Sequence, residues 1–398
     1  MAAVLVAGGI FYGLVVLLDF EEIDSTAKLD AKTLFDLVKL SFGVVAGAGA
    51  LVALVVAYRR QRVDEAGAHR EATRLHTERF SQAVDKLGSD SPAVRLGGVH
   101  ALAGLADDAP TQDLRQTCID VLCAYLRLPF SPDPGDLPDL RPDGTSPTEE
   151  RRDTHQDKKD RYHALREVRH TILRLIGDHY RIPQGTHRSW QGCNLDLTRV
   201  TIDGDMNFYG ATFSGAIVRF HGATFSGGYV RFEGATFAGA DVRFDGATFS
   251  GGHVDFAWAA FSGGHVRFDG AAFSGGDVHF NNAAFSGGYV DFEGATFSGT
   301  DVDFHRAACS SGNMDFRRAV FSGGDVHFDG AVFSGGHVLF GGAAFSGGDV
   351  YFDGAVFSGG HVDFEATSGL APAGLLLAVG TPVPSEVLLL ADWLSPGP

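Results

Sequence analysis

From Ala211 onward the chain repeats every twelve residues, and that period constrains its fold more than any other feature. Copies beginning at Ala223, Ala235 and Ala247 read ATFSGGYVRFEG, ATFAGADVRFDG and ATFSGGHVDFAW. Phe stands at 213, 220, 225, 232, 237, 244 and 249 and onward to 364, with spacings alternating between 7 and 5. Between 208 and 364 this ladder holds 26 of the 32 Phe in a chain of 398 residues. Two residues before each Phe stands Ala or Val, again alternating, with Met206 and Met314 the exceptions. On extended backbone, positions i and i−2 point the same way, so Phe and its Ala or Val face inward. Thr, Arg, His and Asp fall on the outward positions. Ser-Gly-Gly and Asp-Gly supply turns in which positive φ is tolerated. One rung cannot bury its own Phe, but stacked rungs make a continuous core, which predicts a β-solenoid.

Two coil sizes fit a twelve-residue period. A twelve-residue coil encloses too little space for two Phe, one Ala and one Val. A coil of 24 residues (5+7+5+7) has the room, giving roughly seven coils and a rod about 35 Å long. Surface charge points the other way. In a 24-residue coil Asp277, Asp301, Asp325 and Asp349 fall in one column. At strand spacing each neighbouring pair would repel by about 0.8 kcal/mol even in water. A twelve-residue coil would instead interleave Asp325, His337, Asp349 and His361. Packing outweighs surface charge, so the expectation is 24.

The units Val230-Arg231-Phe232-Glu233-Gly234 and Ala235-Thr236-Phe237-Ala238-Gly239 resemble the pentapeptide-repeat family, and Cys193-Asn194-Leu195 resembles a leading copy. The resemblance covers Cys193–Phe364. It implies a right-handed four-sided β-helix; two extra residues in every second unit set this chain apart. The order of segments is also similar to a bacterial membrane-anchored group with SGG-type repeats. The resulting expectation is a mainly β solenoid over 191–366, preceded by a small all-α region and two transmembrane helices, and followed by a cap and tail at 367–398.

Ala2–Leu18 and Leu40–Tyr58 are runs of 17 and 19 residues without a charge. A spanning helix needs about 20 apolar residues, with about 17 as a lower limit, so residues 1–18 and 40–58 read as two crossings. Arg59, Arg60 and Arg62 mark the following side as cytoplasmic. Residues 19–39, with six acids and three lysines, then form a short acidic extracytoplasmic loop, and both termini lie inside. Only 6 of the 32 basic residues are Lys, and with so much Ala and Gly this suggests a GC-rich bacterial genome and its inner membrane. Gly9/Gly13 and Gly43/Gly47 form GxxxG steps. Such steps suit a tight hairpin or a dimer contact, although Gly is also common in membrane helices.

Residues 59–190 read as helical, with a Pro-rich loop at 129–147. Ser91-Pro92 and Thr111 are predicted helix starts. Val94, Leu96, Val99, Leu102 and Leu105 recur at helical spacing, as do Leu114, Cys118, Val121, Leu122 and Tyr125. Val168, Ile172, Leu173 and Ile176 are predicted core residues of a third segment. The four cysteines, Cys118, Cys123, Cys193 and Cys309, form no CxxC pair, so neither a disulfide framework nor a zinc site is implied.

Residues 200–366 hold 19 acids and 7 arginines, net −12, within a chain of net −17. That charge excludes a general nucleic-acid binder. One coil breaks the pattern with His305, Arg306, Cys309 in a Phe position, Met314 in a Val position, Arg317 and Arg318. It reads either as a contact patch or as drift in which arginines neutralise Asp301, Asp303 and Asp315. The Asp column and the eight His between 221 and 361 read as solvated faces, with no metal or cofactor implied. Rungs spread polar groups along a convex rod without a pocket, so no catalysis is expected. The sequence predicts a membrane-anchored scaffold whose partners are an unidentified protein and the lipid bilayer. Alternatives are a DNA-mimicking binder of a type II topoisomerase and a self-associating membrane organiser.

Overall fold

Alternating inward Phe and Ala or Val, punctuated by Gly at the corners, winds residues from Leu195 onward into a β-solenoid of about eight turns, each of about 24 residues. In this computed structural model the described residues are 9, 12, 13, 16, 31–131, 133–137, 148–347 and 349–394. From Met206 to Asp363 the inward Phe and Val pair at steps of 24 residues, as in Val254↔Val278, Val278↔Val302 and Val302↔Val326, and the register slips by one residue only at Ser-Gly corners such as Ser250↔Gly275. Each turn contributes to four ladders, represented by Thr236–Ala238, Ala240–Arg243, Thr248–Ser250 and His253–Asp255. The expected coil size holds, but there is about one turn more than the seven expected. The additional rungs come from segments outside the Phe ladder. Leu195-Asp196 pairs with Val218-Arg219 at one end, and Val387-Leu388 pairs with Val362-Asp363 at the other.

The Phe side chains stack in columns whose repeat is the strand spacing. Phe244 and Phe268 lie 4.7 Å apart with planes 2° from parallel, and Phe256 and Phe280 lie 4.8 Å apart at 4°. Across the interior the columns meet edge to face, as Phe256 and Phe268 do at 5.8 Å and 89°. Both geometries are favourable for aromatic quadrupoles. Cys309 occupies a Phe site in register with Phe285 and Phe333, so one column skips a ring there. Met314, in register with Val290 and Val338, is the larger residue in its own column.

Corners explain the glycines. At Gly276, where φ is +76°, an added Cβ would stand 1.8 Å from the carbonyl oxygen of Gly252 on the turn before. At Gly270, where φ is +63°, an added Cβ would meet nothing within 4 Å. Positive φ alone is tolerated at the second type of corner, where Trp258, Asn282, Arg306 and Arg318 adopt it.

The chain divides into two compact units, Met1–Leu75 and His76–Pro398. Helix α1 is continuous over Ala31–Leu87. It therefore includes residues 31–39, which the sequence reading placed in the extracytoplasmic loop; no Gly or Pro stands there to interrupt the helix. Among the described residues it is the one helix long and apolar enough to cross a membrane. The expected first crossing lies outside the described residues apart from Gly9, Tyr12, Gly13 and Val16, which are helical.

In the second unit, α2 (Pro92–Asp107), α3 (Gln112–Arg127) and α4 (Glu149–Tyr180) pack on the end of α1 and on the first turns of the solenoid. Thr111 caps α3 through a bond from the Leu114 amide, 3.3 Å. Ser91 holds the N-cap position of α2 without a side-chain bond, and Pro92 opens that helix. Val99, Leu102, Leu105, Cys118, Leu122, Val168, Ile172, Leu173 and Ile176 are buried as expected, while Val94 is exposed. Tyr180 closes the solenoid's first turn, stacking on Phe213 at 5.5 Å and meeting Phe208 edge-on. At the far end Trp393 lies against Phe364 at 5.8 Å and donates to the Gly369 carbonyl, within the region expected to cap the rod.

The two corner types make a paired prediction. Gly276→Ala is expected to lower the thermal unfolding midpoint sharply, because the Gly252 backbone cannot yield. Gly270→Ala is expected to cost only the about 1 kcal/mol of a non-Gly residue at positive φ. Calorimetry on both variants measures the difference.

Candidate interaction surface and the junction that orients it

The outward residues between the corners form vertical stripes fixed by the 24-residue register. One stripe runs Asp277, Asp301, Asp325 and Asp349, each directly before the paired valines 278, 302, 326 and 350. The column feared for its repulsion therefore exists, and its hydrogen bonds show why it is tolerated. The Asp325 amide donates to Asp301 Oδ1 at 2.9 Å, and the Asp349 amide donates to Asp325 Oδ1 at 3.1 Å. A hydrogen bond to a charged acceptor contributes about 1.5–3 kcal/mol. That exceeds the about 0.8 kcal/mol of repulsion between neighbours. Asn serves the same purpose elsewhere: Asn313 Oδ1 accepts from the His337 amide at 3.1 Å.

The irregular coil does not make one basic patch. Arg306 and Arg318 are twelve residues apart, which is half a turn, so they lie on different corners. Arg317 pairs with Asp315 at 2.6 Å and with Glu293 at 3.7 Å, and Arg318 pairs with Glu293 at 3.1 Å. Asp315 is fully buried and also accepts from the Tyr289 hydroxyl at 2.5 Å. Burial pushes its carboxyl up, but the bonds from Arg317 and Tyr289 outweigh this and hold it below the ordinary range. Arg317 and Arg318 thus neutralise Asp315 and Glu293, rather than Asp301 or Asp303. The His305 amide caps Asp303 at 2.7 Å.

Between α4 and the first turns lies an open cleft of about 590 Å³. Its cations are matched within it: Arg166 to Asp203 at 2.7 Å, His170 to Asp203 at 3.1 Å and Arg181 to Asp178 at 2.6 Å. Burial raises the Asp203 carboxyl, but the hydrogen bonds from His170 and Arg166 prevail and bring it down to about 2. Arg169 threads the interface, donating to the Leu126 carbonyl at 2.7 Å and the Thr201 carbonyl at 3.0 Å. Gly177 lets α4 touch the solenoid backbone, since a Cβ there would lie 2.7 Å from the Asn207 carbonyl oxygen. Asp107 accepts from Arg188 at 2.9 Å, from Trp190 at 3.1 Å and from His179 at 3.2 Å. Sequence reasoning missed this junction, since partners on its different elements stand 30 to 83 positions apart with no periodic signal.

None of these groups is arranged for nucleophilic chemistry. Cys118 Sγ lies 3.8 Å from His76 Nε2, but burial pushes the thiol up to about 12, the reverse of activation. Cys123 is also pushed up to about 12 by burial, and Cys309 to about 11. All four cysteines are buried and free. Both ring nitrogens of His179 are engaged, one with the Leu175 carbonyl at 2.6 Å and the other with Asp107. At Gly9, Gly13, Gly43 and Gly47 an added Cβ would meet no atom within 4 Å.

A family model described as Pentapeptide repeats (9 copies) matches residues 197–257, the first turns of this coil. Residues 197–257 thus belong to the pentapeptide-repeat family. No curated protein and no solved structure matches the chain. In this solenoid the seven-residue units carry the SGG corners, where a Cβ on the second Gly would meet the backbone of the turn before.

Two predictions follow from the hydrogen bonds. Asp325→Ala is expected to destabilise the rod by up to about 1.5 kcal/mol, the loss of a bond at an exposed corner whose amide then turns to water, while Asp325→Asn retains most of the stability; urea unfolding separates them. Asp203 is depressed in the folded state, so its contribution is present above the ordinary value of 3.8 and is lost as pH falls toward about 2. Asp203→Asn is therefore expected to lower the midpoint at neutral pH and to converge with wild type near pH 2, in thermal melts across that window.

Proposed function

We propose that this chain is a membrane-anchored, non-enzymatic scaffold that presents an acidic pentapeptide-repeat rod to the cytoplasm of a bacterial cell. The observation that carries the reading is α1: its stretch Leu40–Tyr58 has no charge and is exposed almost throughout, and Arg59, Arg60 and Arg62 follow it. Two crossings, at 2–18 and 40–58, leave both termini and the solenoid inside. The four strand ladders per turn support a four-sided coil. Pentapeptide-repeat solenoids are generally structural or interaction proteins, which supports the scaffold role.

Charge density weighs against duplex mimicry. Eight turns at about 4.8 Å give a rod of about 38 Å. A net −12 over that length is one charge per about 3 Å, against one per about 1.7 Å of duplex axis. The open Gly43/Gly47 face is compatible with self-association through the anchor.

The tagged full-length protein is expected to sediment with membranes through alkaline carbonate washing and to cross-link to a membrane or cytosolic protein identified by mass spectrometry. Release by carbonate overturns the anchor. Recovery of topoisomerase subunits replaces the scaffold with mimicry. Recovery of the chain alone, abolished by Gly43→Ile with Gly47→Ile, replaces it with a self-assembling organiser.

A further inference from the structure

We propose that His253, Asp277 and His279 form a binding site for a first-row divalent metal ion of the zinc class on the outside of the solenoid. Asp277 follows His253 by 24 residues and lies directly above it, and His279 is the next outward residue on the upper turn. The three side chains bring one ligand atom each within 4.8 Å of one another. His253 Nδ1 is already 3.2 Å from Asp277 Oδ2. Tetrahedral zinc with bonds of about 2.0–2.1 Å places its ligand atoms about 3.4 Å apart. The His–Asp pair therefore stands at the length of a coordination edge, and His279 needs to close by at most about 1.4 Å, within the reach of a side-chain rotation. Two imidazoles with one carboxylate suit zinc, nickel or iron and are poorly matched to magnesium or calcium.

The ladder holds this geometry without the metal. Val254↔Val278 and Asp255↔His279 are paired in register, and the His253 ring is braced by stacking on Tyr229 at 4.8 Å. The surroundings favour a cation: Asp255 lies below His279, Asp303 above it and Asp301 above Asp277. Arg231, the nearest described arginine in this stripe, lies instead over the Tyr229 ring at 5.3 Å.

A comparison within the molecule separates this group from a chance gathering of charge. Asp291, Glu293 and Asp315 also bring ligand atoms within 4.8 Å, but Arg317 and Arg318 already pair with that group. His327, two turns above His279, is drawn to Asp329 at 3.0 Å and stacks on Tyr351 at 4.9 Å. The rival account of the 3.2 Å contact is a simple ion pair between His253 and Asp277, in which His279 has no part.

The test is calorimetric titration of the chelator-treated full-length protein with zinc chloride and, separately, nickel chloride near pH 7.5. The expected result is one equivalent bound, weakened at least about tenfold by His279→Ala and by Asp277→Asn. His327→Ala, as a matched control, should bind as wild type. Circular dichroism of each variant establishes that the solenoid is folded, and a zinc-dependent rise in the wild-type unfolding midpoint, absent in His279→Ala, is the second readout. Uptake of no metal by wild type overturns the proposal. So does unchanged affinity in a folded His279→Ala variant, which would leave the ion pair as the whole account.

Discussion

The solenoid depends on aromatic rings stacked at the spacing of β-strands. Hydrogen bonding between parallel strands sets about 4.8 Å between turns, and Phe244 and Phe268 at 4.7 Å show that a flat ring fills this interval. Backbone and side chain therefore demand the same repeat, and neither has to distort for the other. Ala and Val fill the remaining inward sites, and the edge-to-face contacts between columns set how far apart opposite walls stand. A coil of twelve residues fails on this ground, because it cannot place two such columns face to edge.

The same register governs the outside, where it turns an apparent liability into a stabilising contact. A stripe of aspartates stacked at strand spacing looks unfavourable as a set of point charges. As a set of acceptors it satisfies the corner amides at Asp325 and Asp349. The corners divide by the same logic. Where backbone meets backbone, as at Gly276, only Gly fits; where the corner faces open space, Trp258 and Arg318 are accommodated.

The coil was legible in the sequence because its determinant is periodic: Phe at alternating steps of 7 and 5 fixes both the inward face and the turn length. The end caps were legible in outline, since an open ladder needs cover and the tail supplies leucines. The junction formed by Asp107, Arg169, Gly177 and Asp203 was not, because helix packing on a sheet end joins residues that share no period. The division of Arg306 from Arg318 was hidden for a different reason. Twelve residues look like one repeat in the sequence but are half a circuit in space. The convergence of His253 with Asp277 carried a readable signal, their separation of 24, which means nothing until the turn length is fixed. The extent of α1 was misjudged because charge, taken as the mark of a loop at residues 31–39, is also at home on an exposed helix.

The difference between the repeat in the sequence and the turn in space limits how this rod can change length. The cap at one end rests on the ladder beginning at Leu195, and at the other Val387 joins that same ladder through Val362. Duplicating a single twelve-residue copy would deliver the chain to the opposite wall, half a circuit out of phase with its closing strand. Duplicating two would return it to the correct wall, one strand spacing further along. The rod thus has a parity: it lengthens or shortens by pairs of copies, in steps of one turn, while both ends and the junction stay as they are.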